Sequence, residues 1–265
     1  MGTTNNDNTF WALILGGSSG LGFATAKKLA AHGYHVIIIH RDRRSELEDI
    51  EASFNMIRAY GNKLITMNID AFNADKRTAA VMEIQNLLPQ GHCIKVLVHS
   101  VAKGTLKPMY SDHGSTLVNA DFKITLEAMA LSLYDWTKAL FASDVFAADT
   151  RIISFTSEGN TRALPNYGAV SVAKVALEAL TRNIALEFAP KGIKANCIQA
   201  GVTLTKSLKM IPGYASIKEH ALARNPNKRL TTPEDVANAV YMLTLDEAKW
   251  ITGTVIKVDG GESLQ

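Results

Sequence analysis

The apolar run TFWALIL leads directly into GGSSGLG, and the chain then continues as LGFATAKKLAAHG. This order predicts a strand, a glycine turn and a helix, and it constrains the fold more than any other segment. Gly16, Gly20 and Gly22 let the backbone turn sharply and approach a bound group closely. The amide hydrogens at such a helix N-terminus favour an anion, so the turn is suited to a pyrophosphate. Six further apolar runs of strand length follow: HVIII, KLITMNI, IKVLVHS, RIISF, IKANCIQ and GTVIKV. They are rich in Val and Ile, and most are apolar on both alternating faces. That pattern belongs to strands buried between two layers of helix. Helical stretches separate them, the first ending on Gly33 as a C-cap. The alternation predicts an α/β fold, a doubly wound parallel sheet flanked by helices on both faces. No linker or repeat divides the chain, so residues 1–265 read as a single dinucleotide-binding domain.

Hydrophobic residues make up 47% of the 265 and charged residues 20%. This is enough apolar material for a full core and argues against disorder. No apolar run approaches the ~20 residues of a membrane span. The opening MGTTNNDNTF lacks the charged and apolar regions of a signal peptide. Gly2 is not followed by Ser or Thr where a myristoylation signal needs one. Cys93 and Cys197 both adjoin apolar runs and read as buried free thiols. The expectation is a soluble, cytoplasmic protein with no membrane partner. A net charge of +3 is too small to indicate nucleic acid. The histidines show no metal-ligand spacing, so no metal is expected. Thr231, Thr232, Pro233, Glu234 and Asp235 mark a helix start: Thr232 caps, Pro233 fits the first turn and the acids favour the positive end of the dipole.

The glycine pattern is G-x-x-x-G-x-G, unlike the G-x-G-x-x-G of other dinucleotide folds. Ser18 and Ser19 add hydroxyl donors, and Gly16, Ser18, Ser19, Gly20, Leu21 and Gly22 are the expected phosphate-binding residues. The residue ending the second strand selects the cofactor. An acid there holds the ribose hydroxyls of NAD. Here the strand ends at His40, followed by Arg41, Asp42, Arg43 and Arg44. Arg41 is placed to meet a 2′-phosphate through paired hydrogen bonds, which favours NADPH over NADH. The competing reading is a solvated charged turn that Asp42 partly neutralises. Asp70, at the end of NID, either binds the adenine edge or caps the next helix.

Tyr167 and Lys174 stand seven residues apart in NYGAVSVAK. Together with GGSSGLG, GIKANCIQAG and the closing VDGG, they resemble the short-chain dehydrogenase/reductase superfamily over essentially the whole chain. Within it the chain is similar to the enoyl-acyl-carrier-protein reductases. HSVAKG at His99 to Gly104, FKI at Phe122 to Ile124 with the helix reaching TKAL, and RALPNY before the tyrosine carry that likeness. So do AKVALEALTRNIALEFAPKGIKANCIQAG and VDGGESL. That family separates its tyrosine and lysine by six residues, where most reductases of this build place them four apart. Its common members have a stretched glycine motif and a second tyrosine ten residues before the first. This chain has Ser157 there and resembles a smaller, NADPH-using branch. Carbonyl-reducing members also use a serine to hold the substrate carbonyl, and a register shift would put Thr156 in its place. Those members carry an asparagine on the preceding long helix; by alignment through FKI, Met129 stands there and cannot anchor a water relay.

The resemblance implies a single-domain Rossmann-type fold with Tyr167, Lys174 and Ser157 as catalytic residues. Lys174 also grips the nicotinamide ribose, and Ser100 and Val101 at their strand end are expected on the cofactor. Gly201, Thr203 and Thr205 are expected near the nicotinamide amide or pyrophosphate. The helices Phe122 to Leu140 and Val172 to Phe188 correspond to ones that pair between subunits, which implies a homotetramer. Reduction of a conjugated thioester sends hydride to the β-carbon and leaves negative charge on the carbonyl oxygen. A hydrogen bond from Tyr167 is worth ~3 kcal/mol there. A free phenol has a pKa of about 10, and the Lys174 charge favours its ionisation. Were both residues helical, they would lie ~10.5 Å apart along the axis, against ~6 Å for a four-residue spacing. Pro165 and Asn166 predict a turn that sets Tyr167 at or before the helix start.

Residues 204–228 read as either a mobile lid over the site or a pair of surface helices. Met210, Ile211, Tyr214 and Ile217 are the candidate acyl-pocket residues, with Pro212 and Gly213 as a bend. Lys206, Lys209, Lys218, Arg224, Lys228 and Arg229 either steer an acidic acyl carrier protein by charge or form a solvated face. The expected function is NADPH-dependent reduction of an enoyl thioester, carried on an acyl carrier protein, in fatty-acid or related synthesis. The alternatives are a ketone or 3-oxoacyl reductase and a nonenzymatic NADP-binding regulator.

Overall fold

The structure is a computed structural model and describes residues 9–265. Residues 1–8, read above for signal and lipid motifs, lie outside the described residues. In chain order the elements are β1 (Phe10–Leu15), α1 (Gly20–Ala31), β2 (His35–His40), α2 (Leu47–Arg58), β3 (Leu64–Asn68) and α3 (Ala74–Leu87). Then come β4 (Cys93–His99), α4 (Asn119–Leu126), α5 (Ser132–Ala142), β5 (Phe146–Ser157), α6 (Gly168–Glu187) and β6 (Ile193–Ala200). The chain closes with α7 (Lys206–Lys209), α8 (Tyr214–Arg224), α9 (Pro233–Thr244) and β7 (Val255–Val258). A π-helical turn, Glu127–Leu131, joins α4 to α5. The expected helix Phe122 to Leu140 falls within that run, and Val172 to Phe188 runs to the C-cap of α6.

Every apolar run expected to be a strand is one. They form a seven-stranded sheet in the order β3-β2-β1-β4-β5-β6-β7, parallel throughout. β1 shows why both faces are apolar. Trp11, Leu13 and Leu15 pack on one side with Ile84, Trp136, Leu140, Leu177 and Ile184 of α3, α5 and α6. Ala12 and Ile14 pack on the other with Leu29, Phe54, Ile57, Val236 and Val240 of α1, α2 and α9. Alternate residues of a strand face opposite ways, so a strand between two helix layers needs apolar groups at every position. Full burial of each large side chain stabilises by about 1.5–3 kcal/mol.

The sheet order reverses between β1 and β4, and a crevice opens there at the carboxyl ends. Leu15 pairs with Ile39 and with His99, and Ser157 pairs with Ala200. The loops after β1, β2, β4, β5 and β6 therefore rise along one edge. Gly33, just past α1, has φ +90°, the left-handed conformation of a helix stop. At α9, Thr232 Oγ1 accepts from the Asp235 amide at 3.2 Å while Asp235 accepts from the Thr232 amide at 2.8 Å, a reciprocal cap. Cys197 is buried as expected; Cys93, at the start of β4 where the strand emerges from the core, is only half-buried. Among the described residues no helix is long and apolar enough to cross a membrane.

One buried charge was hidden inside an apolar run. Arg151 in β5 is 1% exposed. Its Nε donates to the Leu243 carbonyl at 3.0 Å and its Nη1 to Asp149. Lys194 Nζ reaches the same carboxylate at 2.7 Å. Burial pushes the Asp149 carboxyl up, but these two cations outweigh it and hold the group at about 2. Breaking a buried charge pair from one side strands the other partner. Arg151→Met is expected to destabilise the fold by about 3 kcal/mol, read as a lower urea midpoint with an unchanged slope; an unchanged midpoint would show that the pair is dispensable.

Candidate active site

The loops at the carboxyl edge of the sheet enclose a cavity of about 820 Å³. Its wall contains Gly16, Ser18, Ser19, Gly20 and Leu21 from the first turn and His40 and Arg41 from the second. Ser100, Val101, Ser157, Tyr167, Lys174, Gly201, Thr203 and Thr205 complete the expected set. Of the expected catalytic and cofactor-binding residues, only Gly22 and Asp70 do not line it.

The glycines act by what they leave out. Gly16 has φ +82°, and a Cβ there would strike the Ser100 carbonyl. A Cβ on Gly22 would overlap the Gly16 carbonyl oxygen and come within 2.9 Å of Ser100 Oγ. Gly22 thus sets α1 tight against the turn, a packing role behind the wall. Ser19 is the N-cap of α1 but its side chain makes no capping bond. The hydroxyl and the first amides of α1 form a cradle that an anion fits.

The turn after β2 is more ordered than its sequence indicated. His40 Nδ1 lies 2.8 Å from Asp42 Oδ2. Arg41, with its side chain 59% exposed, donates to Asp70 Oδ2 at 2.6 Å. Asp70 also accepts from the Phe72 amide at 3.1 Å. Capping of α3 falls to Asn73, which accepts from Lys76 at 3.0 Å. Asp70 therefore fixes Arg41 at the rim and does not cap the helix.

β5 and α6 bring the catalytic candidates together. Thr156 and Ser157 are neighbours on an extended strand, so their side chains diverge. Thr156 Oγ1 donates to Glu178 of α6 at 2.6 Å, while Ser157 Oγ lies 3.3 Å from the Tyr167 hydroxyl. Ser157, and not Thr156, meets the tyrosine. Tyr167 is the N-cap of α6, outside the helix, after Asn166 with φ +63°. The turn expected at Pro165 and Asn166 is therefore present. A Cβ on Gly159 would collide with the Tyr167 ring, so that glycine admits the ring against the end of β5. Burial raises the Tyr167 pKa, and the Ser157 hydrogen bond partly offsets this.

Lys174 lies two turns along α6 and is 6% exposed. Its ammonium donates to the Phe155 carbonyl at 2.6 Å. Burial lowers its pKa to about 8, against opposing pulls from Cys197 and Glu178. Behind it sits His99, which sequence reading noticed only as part of a motif. His99 is buried, with Nε2 2.7 Å from Ser132 Oγ. Burial and then the Lys174 charge bring it down to about 3, so it stays neutral.

The rest of the wall is largely apolar. Met129 lies in the π-helical turn, buried and on the wall, and offers no hydrogen-bond donor. Of the four expected acyl-pocket residues, Ile211 and Ile217 line the cavity. Met210 and Tyr214 do not, and Met210 is 75% exposed. Met210 is the C-cap of α7, and Gly213, φ +76°, is the N-cap that starts α8 at Tyr214. The basic stretch is also less free than its sequence. Lys206 pairs with Glu46 at 3.3 Å, Arg224 with Glu158 at 2.6 Å and Glu262 at 3.0 Å, and Arg229 with Asp235 at 2.5 Å. Lys228 Nζ caps the Ala223 carbonyl at 2.9 Å. Sequence reading quoted Glu262 and missed its ion pair, because its partner lies 38 residues away.

Comparison with known proteins fits this geometry. Residues 16–263 match the family described as enoyl-(acyl carrier protein) reductase. The enoyl-[acyl-carrier-protein] reductase [NADH] FabI of Buchnera aphidicola is 30% identical over 164 residues, which is 62% of this chain and 62% of that protein. The peroxisomal 2,4-dienoyl-CoA reductase of Rattus norvegicus is 27% identical over 94% of this chain and 82% of its own length. The crystal structure of a short chain dehydrogenase from Burkholderia cenocepacia in complex with NADP has a TM-score of 0.82 at 26% identity, covering 98% of this chain and 100% of that one. A match of this extent, over a sheet and crevice of this build, shows that the chain belongs to the enoyl-(acyl carrier protein) reductase family of the short-chain dehydrogenase/reductase superfamily and is an oxidoreductase.

Proposed function

We propose that this protein reduces the carbon–carbon double bond of an enoyl thioester with NADPH. The observation that carries the reading is the placement of Tyr167. Its hydroxyl stands outside α6, at the N-cap, where it faces an apolar cavity with Lys174 two turns behind. A hydroxyl set forward in this way suits an oxygen remote from the carbon that accepts hydride, as in a conjugated thioester. Tyr167 donates a hydrogen bond to that carbonyl as charge develops on it, and its raised pKa keeps the phenol protonated until then. Lys174, charged at neutral pH, stabilises the negative charge shared between phenol and substrate. Ile211 and Ile217 cover the acyl chain and exclude water, which supports residues 204–228 acting as a lid.

The residues fit the cofactor. Gly16, Ser18, Ser19, Gly20 and Leu21 would hold the pyrophosphate, Ser100 and Val101 the adjoining sugar, and Gly201, Thr203 and Thr205 the nicotinamide end. When bound, the reduced nicotinamide supplies the hydride. Arg41, oriented by Asp70, supports NADPH over NADH, since Asp70 fixes a guanidinium at the rim where a 2′-phosphate would lie. Arg43 and Arg44 make no ion pair among the described residues and add to the positive field.

A second reading has its own support. Ser157 and Tyr167 stand 3.3 Å apart and can donate together to one ketone oxygen, as a carbonyl or 3-oxoacyl reductase requires. Met129, where such a site needs a polar relay, weighs against it. An acyl carrier protein as donor of the substrate is supported by Lys209 and Lys218, which make no ion pair among the described residues. Self-association is supported by Ile124, Phe141, Val172, Val175 and Leu186, apolar and exposed on α4, α5 and α6.

Two measurements test the reading. Oxidation of NADPH and of NADH is followed with a crotonyl and an acetoacetyl thioester side by side. The crotonyl thioester with NADPH is expected to turn over at least about tenfold faster than any other pair; preference for the acetoacetyl substrate would establish the carbonyl reading. Second, Lys174 loses its charge above its folded pKa, so activity falls on the alkaline side. The value of kcat/KM for NADPH, which reports the free enzyme, is expected to decline with a midpoint near pH 8. A flat alkaline profile would remove the charge on Lys174 from the mechanism.

A further inference from the structure

A single guanidinium at the end of α8 joins three parts of the site. Arg224 Nη1 and Nη2 donate to the two carboxylate oxygens of Glu158 at 3.0 and 2.6 Å. Nη2 also donates to Glu262 Oε1 at 3.0 Å. Glu158 directly follows Ser157, and the next residue, Gly159, is the one against which the Tyr167 ring packs. Glu262 is 2% exposed, and its other oxygen accepts from the Val202 amide at 3.0 Å. Val202 lies between Gly201 and Thr203 on the cavity wall. The guanidinium thus spans the helix over the pocket, the loop that supports the tyrosine and the loop at the nicotinamide end.

We infer that Arg224 is a positioning residue that couples the segment over the acyl pocket to the tyrosine loop and to the cofactor loop. Its planar fork is what the arrangement needs. Two carboxylates approach it from different directions, and a lysine, as a point charge, cannot serve both with paired bonds. The end of α8 has separate anchors: Asn225 donates to the Asp259 carbonyl and Asn227 to the Gly260 carbonyl, each at 2.9 Å. Those bonds hold α8 to the C-terminal turn only. Among the described residues, the hydrogen-bonded contact of α8 with the tyrosine loop runs through Arg224. Loss of the guanidinium therefore leaves the helix attached but no longer aligned with Tyr167. Glu158 has a second cation, Arg162, at 3.5 Å, which among the described residues makes no ion pair or hydrogen bond with α8 or Glu262 and so serves as a control.

The effect on the thioester rests on the function proposed above; the mechanical coupling does not. Amide hydrogen exchange on the full-length protein reads the coupling without any substrate. Arg224→Met is expected to speed exchange about fivefold in both 158–167 and 214–224, with α9 and β6 unchanged. Arg224→Lys is expected to speed one of the two segments only, and Arg162→Met neither. In kinetics, Arg224→Met is expected to raise the crotonyl thioester KM about tenfold while the NADPH Kd stays within about twofold. Exchange that rises throughout the chain, or equally in Arg162→Met, would reduce Arg224 to a general structural or electrostatic role and overturn the inference. Unchanged exchange in both segments would overturn it as well. Faster exchange with no thioester turnover in the wild type would uphold the coupling and fail the enoyl reading instead.

Discussion

The ammonium of Lys174 is almost fully buried, and the site is arranged around that constraint. An ammonium away from water is unfavourable unless something replaces its hydration. The Phe155 carbonyl does so at 2.6 Å. The bond ties α6 to β5 one residue before Thr156 and two before Ser157. It fixes the start of the helix against the end of the strand, and so fixes Tyr167 beside Ser157. Near Lys174 the core offers hydroxyls and a thiol, with Ser154 Oγ 2.9 Å from Cys197 Sγ and 3.2 Å from Thr181 Oγ1. His99, itself held down by the Lys174 charge, is too deeply buried to become a second cation. The result is a lysine that titrates near 8, low for its kind yet charged at neutral pH.

What was legible in the sequence was what depends on neighbours along the chain. The strands could be read because burial on both faces demands unbroken apolar runs. The glycine turn could be read because its conformations exclude side chains. Tyr167 could be placed before α6 because Pro165 and Asn166 force a turn. Thr232 announced α9 through a cap completed within three residues. Residues whose role is set by distant partners were not legible. Arg151 reads as the polar edge of a strand, and its carbonyl partner lies 92 residues away. Asp70 was expected at the adenine or at a helix start, and its partner Arg41 comes from the next strand over. The basic stretch looked like a patch because a sequence shows charges without their counterions. Met210 and Tyr214 were placed in the pocket because the rotation of two short helices, α7 and α8, about their own axes cannot be read from composition.

The same logic separates the two reductase chemistries. Hydride addition to a ketone and to a conjugated thioester both need a donor near an oxygen, and both can share the fold. They differ in how far that oxygen lies from the carbon receiving hydride. Tyr167 at an N-cap, Met129 on the wall and a largely apolar cover together favour the longer separation. Ser157 is the feature common to both, with its hydroxyl 3.3 Å from the phenol.

Under the proposed function, the Tyr167 hydroxyl acts on the substrate oxygen and contributes little to holding the cofactor. The direct measurement is kcat with a crotonyl thioester alongside the NADPH Kd, both in Tyr167→Phe. Loss of one preorganised donor is expected to lower kcat roughly 100-fold while Kd moves by no more than about twofold. Retained turnover, or an equal loss of turnover and cofactor binding, would contradict it.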